Sequence, residues 1–195
     1  MAYVDPRLRG KPVPSVPVEQ MERGHVARLA AMKGSNLAFL DQRMPGYRRE
    51  IINVIGMGVV ENTGDPDLKP KIAAPAHGFA VTYARHAPKG NGAALHRHPT
   101  EEVFIAVKGA WEVYWLEDDA ERTITLQPGD IINVPIGIYR GFRSASDDPD
   151  ATLIAVVGGP DTGKVDWHPS VIEAARETGL SVDDDGNLIV ADAAE

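Results

Sequence analysis

No cysteine occurs in the 195 residues, which excludes a disulfide framework and any thiolate-ligated zinc site. Its absence also fits a reducing compartment. Long apolar runs are missing too, and none approaches the ~20 residues needed to cross a bilayer. The opening segment, Met1-Ala-Tyr-Val-Asp-Pro6-Arg-Leu-Arg-Gly10, has no apolar stretch of the kind that makes a secretory signal, so a cytoplasmic protein with no membrane partner is expected. Basic charge is scarce as well. Lys and Arg number 20 against 28 Asp and Glu, a formal net charge of −8, which argues against a general nucleic-acid partner. No internal repeat is evident. What is present is ordinary: 43% hydrophobic residues suffice for one core in a single domain with extensions.

Three stretches differ in character. Residues 1–60 read as a proline-rich arm, then a short helix or two within 18–32, and a β-branched strand within 47–60. Residues 61–160 begin with a loop containing Gly64, Pro66, Pro70 and Pro75 and turn all-β from His77. Strand signals fall at 78–86, 102–107, 110–116, 123–126, 131–134, 138–144 and 152–157, with turn chemistry between them. Many short strands with closely spaced turns describe a sandwich or barrel. Residues 161–195 hold one helix over 166–178, with Pro169 in its first turn and Gly179 at C′, followed by a tail.

The chemistry concentrates between Gly90 and Gly109, in Gly90-Asn-Gly-Ala-Ala-Leu-His96-Arg-His98-Pro-Thr-Glu101-Glu102-Val-Phe-Ile-Ala-Val-Lys-Gly109. On a strand, residues i and i+2 share a face, so His96 and His98 can reach one point in space. Glu102 returns after the next turn as an oxygen donor. Two imidazoles and one carboxylate on one side of an ion are the ligand set of non-haem Fe(II) sites with open positions. Glu101 should face the other way. A second stretch, Gly129-Asp-Ile-Ile-Asn-Val-Pro135-Ile-Gly137-Ile-Tyr139-Arg140, spaces two glycines and a proline in the form G-x5-P-x-G.

These two stretches resemble the two motifs of the cupin superfamily. The first matches G-x5-H-x-H-x3-E-x6-G at every position. The second keeps its glycines and proline, but Arg140 stands where the family has a fourth ligand histidine, and Ser144 where it has asparagine. The resemblance covers roughly residues 75 to 160. It implies an all-β cupin jelly-roll β-barrel, carrying the N-terminal helical and strand extension and the C-terminal helix. It leaves the activity open, because cupins include dioxygenases, decarboxylases, isomerases, sugar-binding regulators and storage proteins.

The resemblance implies one divalent transition metal held by His96, His98 and Glu102, with Fe first and Mn, Ni or Zn as alternatives; the contrary reading is a barrel that keeps the ligands as a relic. Arg140 cannot ligate a cation, since it offers only donors and stays charged. It either pairs with Glu102, replacing ion and histidine together, or acts in catalysis by fixing the carboxylate of an acidic small-molecule substrate. His86, just before the first motif, is a second catalytic candidate, as a replacement ligand or proton shuttle, against the plainer reading of a surface histidine. His25, His77 and His168 lie outside the motifs. The expected function is a metal-dependent cupin of the non-haem Fe(II) dioxygenase type. The alternatives are a non-catalytic small-molecule binder and a Mn, Ni or Zn lyase or isomerase. A homodimer is expected, because an uncovered sheet edge invites pairing and two-fold dimers are the commonest oligomers; sedimentation reads that state directly.

Overall fold

The computed structural model describes residues 5–56, 59–73, 78–159 and 163–191, so His77 lies outside the described residues. Its centre is built from strands whose inward positions alternate. In β4 (Glu102–Lys108), Glu102, Phe104 and Ala106 are buried while Val103 and Ile105 are only partly so. In β8 (Arg140–Ser144), Arg140, Phe142 and Ser144 are the buried set on one face. Each strand thus puts one row of side chains toward a common interior.

The remaining strands are β1 (Glu50–Ile55), β2 (Phe79–Arg85), β3 (Gly92–Arg97), β5 (Trp111–Glu117), β6 (Ala120–Leu126), β7 (Ile131–Val134), β9 (Thr152–Gly158) and β10 (Asp166–Trp167). Two five-stranded sheets result, ordered β1-β2-β9-β4-β7 and β10-β3-β8-β5-β6, with antiparallel neighbours throughout. This is the all-β jelly roll that the resemblance of the two motifs implies, within the sandwich-or-barrel class read from the strand spacing. Phe104, Trp111, Val113, Phe142 and Leu153 are buried between the sheets. Phe142 sits at their middle, with ring centroids 5.3 Å from Phe104 and 5.9 Å from Trp111.

Two glycines, Gly92 within the first stretch and the motif glycine Gly137, show what the backbone needs there. A Cβ on Gly92 would come 1.8 Å from the Phe142 carbonyl oxygen, so the close approach of β3 to β8 requires glycine there. Gly137 takes φ +80 in the turn before β8, and its N–H reaches the His98 carbonyl at 3.3 Å. That turn delays β8 to Arg140, two residues after the expected start.

The extensions depart further from the expectation. α1 (Val18–His25) is a surface helix with no buried residue, and Val26 leaves helical angles at φ −120, ψ 129. After it comes a single 3-10 turn, Leu29–Ala31, in place of a second helix. β1 is shorter than the expected 47–60 strand and pairs with β2, opposing Glu50 to Arg85. The helix expected over 166–178 is α2 (Pro169–Arg176), preceded by strand β10. Tertiary contact explains the difference: Trp167 is buried, pairs with His96 across β3, and donates its indole N–H to Glu61 at 2.7 Å. His168 caps α2, its side chain accepting from the Ser170 N–H. Gly179, at φ +73, lies two residues beyond the C-cap Glu177 rather than at C′. β11 (Leu180–Val182) and β12 (Leu188–Val190) then close a hairpin. Among the described residues no helix is long and apolar enough to cross a membrane.

Candidate metal centre

β3 delivers His96, the chain turns through His98-Pro99-Thr100, and β4 begins at once with Glu102. This short path gathers two imidazoles and a carboxylate whose ligand atoms lie within 4.8 Å of one another. All three residues are buried, whereas Glu101 faces out and is exposed. Cross-strand register adds a fourth side chain, because His96 opposes Arg140 on β8.

The imidazoles are prepared as neutral donors. His96 Nδ1 lies 2.7 Å from the Ala94 carbonyl oxygen. A carbonyl only accepts, so Nδ1 carries the proton and Nε2 keeps its lone pair. Burial, then the positive Arg140 and the neighbouring His98, hold the His96 pKa well below the ordinary imidazole value. Burial lowers His98 as well, against the Glu102 charge. The His98 Nδ1 is buried with no hydrogen-bond partner among the described residues. A buried ring nitrogen without a partner is costly, and only a partner at that nitrogen, such as an ion ligated through it, offsets the cost.

Arg140 is 1% exposed and its donors are engaged. Nε and Nη2 both donate to Glu102 Oε2, at 2.8 and 2.5 Å, and Nη1 donates toward the carbonyls of His96 and Ile138. Because both bonds fall on Oε2, the Oε1 lone pairs stay open. The donor set therefore fits a divalent cation: two neutral imidazoles, one carboxylate oxygen, and an arginine that orients that carboxylate.

The site lies in a small cavity of about 40 Å³, room for only a few waters. Its wall is mostly apolar, with Phe39, Ile51, Phe142, Val157 and Trp167, and includes Arg49. Of the two readings of Arg140, the geometry matches the pair with Glu102: the side chain faces inward and its carboxylate acceptor is Glu102, and it also borders a separate apolar hollow with Val113, Ile132 and Ile138. A buried guanidinium takes the nearest permanent anion, and strand register supplies one. His86 does not join the site: it has φ +52, is half-exposed, and pairs through Nδ1 with Glu50 Oε2 at 3.1 Å. Its place at the end of β2 points it to the outer face.

Sequence reasoning missed three supports of the site. Arg49 pairs with Asp41, and both are buried. Glu61 accepts from Leu40 N–H and from Trp167, whose ring stands 5.5 Å from that of His96. No periodicity marks any of them, since each lies in irregular chain or at a strand end.

Burial pushes the Glu61 carboxyl up to about 7 from 4.5, against the hydrogen bonds that lower it. A folded acid with a raised pKa binds its proton more tightly than the unfolded chain does. Its contribution to stability is thus full below 4.5 and is lost as pH rises to about 7. Compared with Glu61→Gln, the native protein should lose up to about 1.4 kcal/mol per pH unit across that window. Urea denaturation of both proteins at several pH values measures this, and a constant difference would refute it.

A family model described as "Cupin domain" matches residues 83–157. No curated protein matches the sequence. Among solved structures, one of an oxalate oxidase aligns with TM-score 0.50 at 15% identity, covering 85% of this chain and 77% of that one. The vicilin of hazelnut (Corylus avellana) aligns at TM-score 0.40 and 14% identity, over 57% of this chain and 28% of that one. The Lactobacillus farciminis oxalate decarboxylase aligns at TM-score 0.42 and 20% identity, over 58% of this chain and 30% of that one. The chain thus spans less than a third of the vicilin and of the decarboxylase, and at such identities the likeness is one of fold.

Proposed function

We propose that this cupin-family chain, with its cupin domain at residues 83–157, is a mononuclear metal-dependent enzyme acting on a small carboxylated molecule. The reaction class we assign is that of a non-haem Fe(II) dioxygenase, with lyase or isomerase chemistry on Mn, Ni or Zn as the variant. The observation that carries this is the meeting of His96, His98 and Glu102 within 4.8 Å at a small, mostly apolar cavity. A ferrous ion held there would supply open positions for substrate and O₂ and Lewis acidity.

The chain's own part follows from the contacts. The Ala94 carbonyl holds the His96 tautomer, and Arg140 fixes the Glu102 carboxylate through Oε2, leaving Oε1 for the ion. Phe39, Ile51 and Val157 keep bulk water out. An acidic substrate is favoured by charge. The family's fourth position is a neutral histidine, and here it is a cation, so a divalent ion leaves the buried site with excess positive charge that an anionic ligand offsets.

One observation favours a second reading, a metal-free small-molecule binder. The Arg140–Glu102 pair already compensates the buried carboxylate without an ion. Arg140→His separates the two. It removes the competing cation and adds an imidazole, so metal affinity should rise about tenfold or more, worth ~1.4 kcal/mol or above. Native protein purified without chelator should already carry about one equivalent of divalent metal, as three ligands and a buried site require. A native protein free of metal beside a fully loaded Arg140→His variant would decide for the binder.

A further inference from the structure

The fate of each N–H on Arg49 singles out this residue. A guanidinium has five N–H groups on two usable edges. The end-on edge of Arg49 is taken: Nη1 and Nη2 donate to the two oxygens of Asp41 at 3.0 Å each. Nη1 also meets the carbonyls of Tyr47 at 2.9 Å and Gly92 at 2.6 Å. Asp41 is held in turn by the Ala94 N–H at 2.8 Å. The side-on edge is different. Nε is buried with no hydrogen-bond partner among the described residues, and Nη2 has spent one of its two hydrogens on Asp41.

Arg49 also borders the cavity of His96, His98 and Glu102. Asp41, Tyr47 and Gly92, which take its end-on edge, lie outside that wall. On that guanidinium the edge left without a protein acceptor among the described residues is Nε–Nη2. The rings of Phe39 and Phe142 lie 5.7 and 5.8 Å from its Cζ and hold the plane in place. Two parallel N–H groups on a rigid plane match the two oxygens of a carboxylate. Apolar surroundings strengthen that match, and leaving Nε unpaired is costly.

We infer that Arg49, through its Nε–Nη2 edge, is the residue that anchors the carboxylate of a small acid bound in the cavity beside the metal ligands. The inference rests on the reading of an acidic ligand given above and moves its anchor from β8 to the segment before β1. The cavity volume limits the ligand to a few heavy atoms, so the class is a short-chain carboxylic acid, able to reach the ion with a second oxygen.

The test uses the full chain as purified and as stripped by chelator, with glycolate as probe and its uncharged amide, glycolamide, as control. Calorimetry should show glycolate binding and glycolamide not. Arg49→Lys keeps the charge beside Asp41 but removes the fork, and should weaken glycolate about tenfold or more while metal content stays native. The double variant Asp41→Leu with Arg49→Met, which leaves no buried charge unpaired, should behave likewise if the lysine variant folds poorly. Native-like glycolate affinity in either folded variant overturns the inference, as does a native protein that binds glycolate and glycolamide equally. The two readings fail separately. Glycolate binding that is sensitive to Arg49→Lys in a metal-free native protein would keep the anchor and sink the metal. Binding that needs the metal but ignores Arg49→Lys would do the reverse.

Discussion

Replacing His96 and His98 together with alanine should leave the protein folded and without stoichiometric metal. In the proposed site each imidazole is one of three protein ligands, so the double variant would keep only Glu102, whose other oxygen already belongs to Arg140. Loss of an outer partner of a metal ligand costs about 10–100-fold in affinity, and loss of ligands themselves costs more. Folding should survive, because Arg140 remains to pair with the carboxylate and the apolar sheets are untouched. Elemental analysis after dialysis, with circular dichroism as the control for folding, measures the outcome. His86→Ala serves as the contrast: half-exposed and paired with Glu50, it should keep full metal. A double variant that still holds about one equivalent in the barrel would sink the ligand assignment.

Asp41→Ala should be among the most damaging single changes to stability, at about 3–5 kcal/mol. Asp41 is fully buried and accepts three hydrogen bonds, two from Arg49 and one from Ala94 N–H. Removing it leaves a guanidinium charge in the interior with no counter-ion, which costs far more than a surface pair. For a chain of this size the loss corresponds to a fall in melting temperature of roughly 10 °C. The double change Asp41→Leu with Arg49→Met removes both charges and should recover most of the loss. Urea denaturation of the native protein and the two variants measures both effects. A loss below about 1 kcal/mol in Asp41→Ala would mean that the pair is solvated in solution, contrary to its burial here.

The ligand triad was legible because its geometry is local. The i, i+2 rule brings His96 and His98 together, and a single short turn returns Glu102, so no long-range contact is needed to assemble them. The motif glycines were legible for a related reason: Gly90 and Gly137, at φ +79 and +80, occupy backbone conformations that sterics deny to most other residues. Arg140 was readable as an inward cation at a ligand's place, but the choice between Glu102 and a substrate as its partner was not. That depends on His96 opposing Arg140 and Glu102 opposing Val134 and Val157, registers that no spacing within one strand can state.

The extension before the barrel was hardest to read. Its role rests on one ion pair that closes around a turn, and on a carbonyl and an amide contributed by β3, 43 and 53 positions further along. Trp167 shows the opposite failure. Its surroundings in sequence suit a helix, yet burial of the indole against His96 and its bond to Glu61 hold it extended. Local preference is worth tenths of a kcal/mol per residue, whereas a buried aromatic with a satisfied N–H is worth several times that. By itself, then, the sequence determined a many-stranded sandwich or barrel and the three candidate ligands, because alternation, turn glycines and close ligand spacing act within a few residues; the jelly roll came from the resemblance of the two motifs to the cupin superfamily. The tertiary structure alone decided which cation meets Glu102, which one borders the cavity with its Nε unpartnered, and what braces His96. Those choices are made between strands far apart in the chain, where only packing and register bring donor and acceptor together.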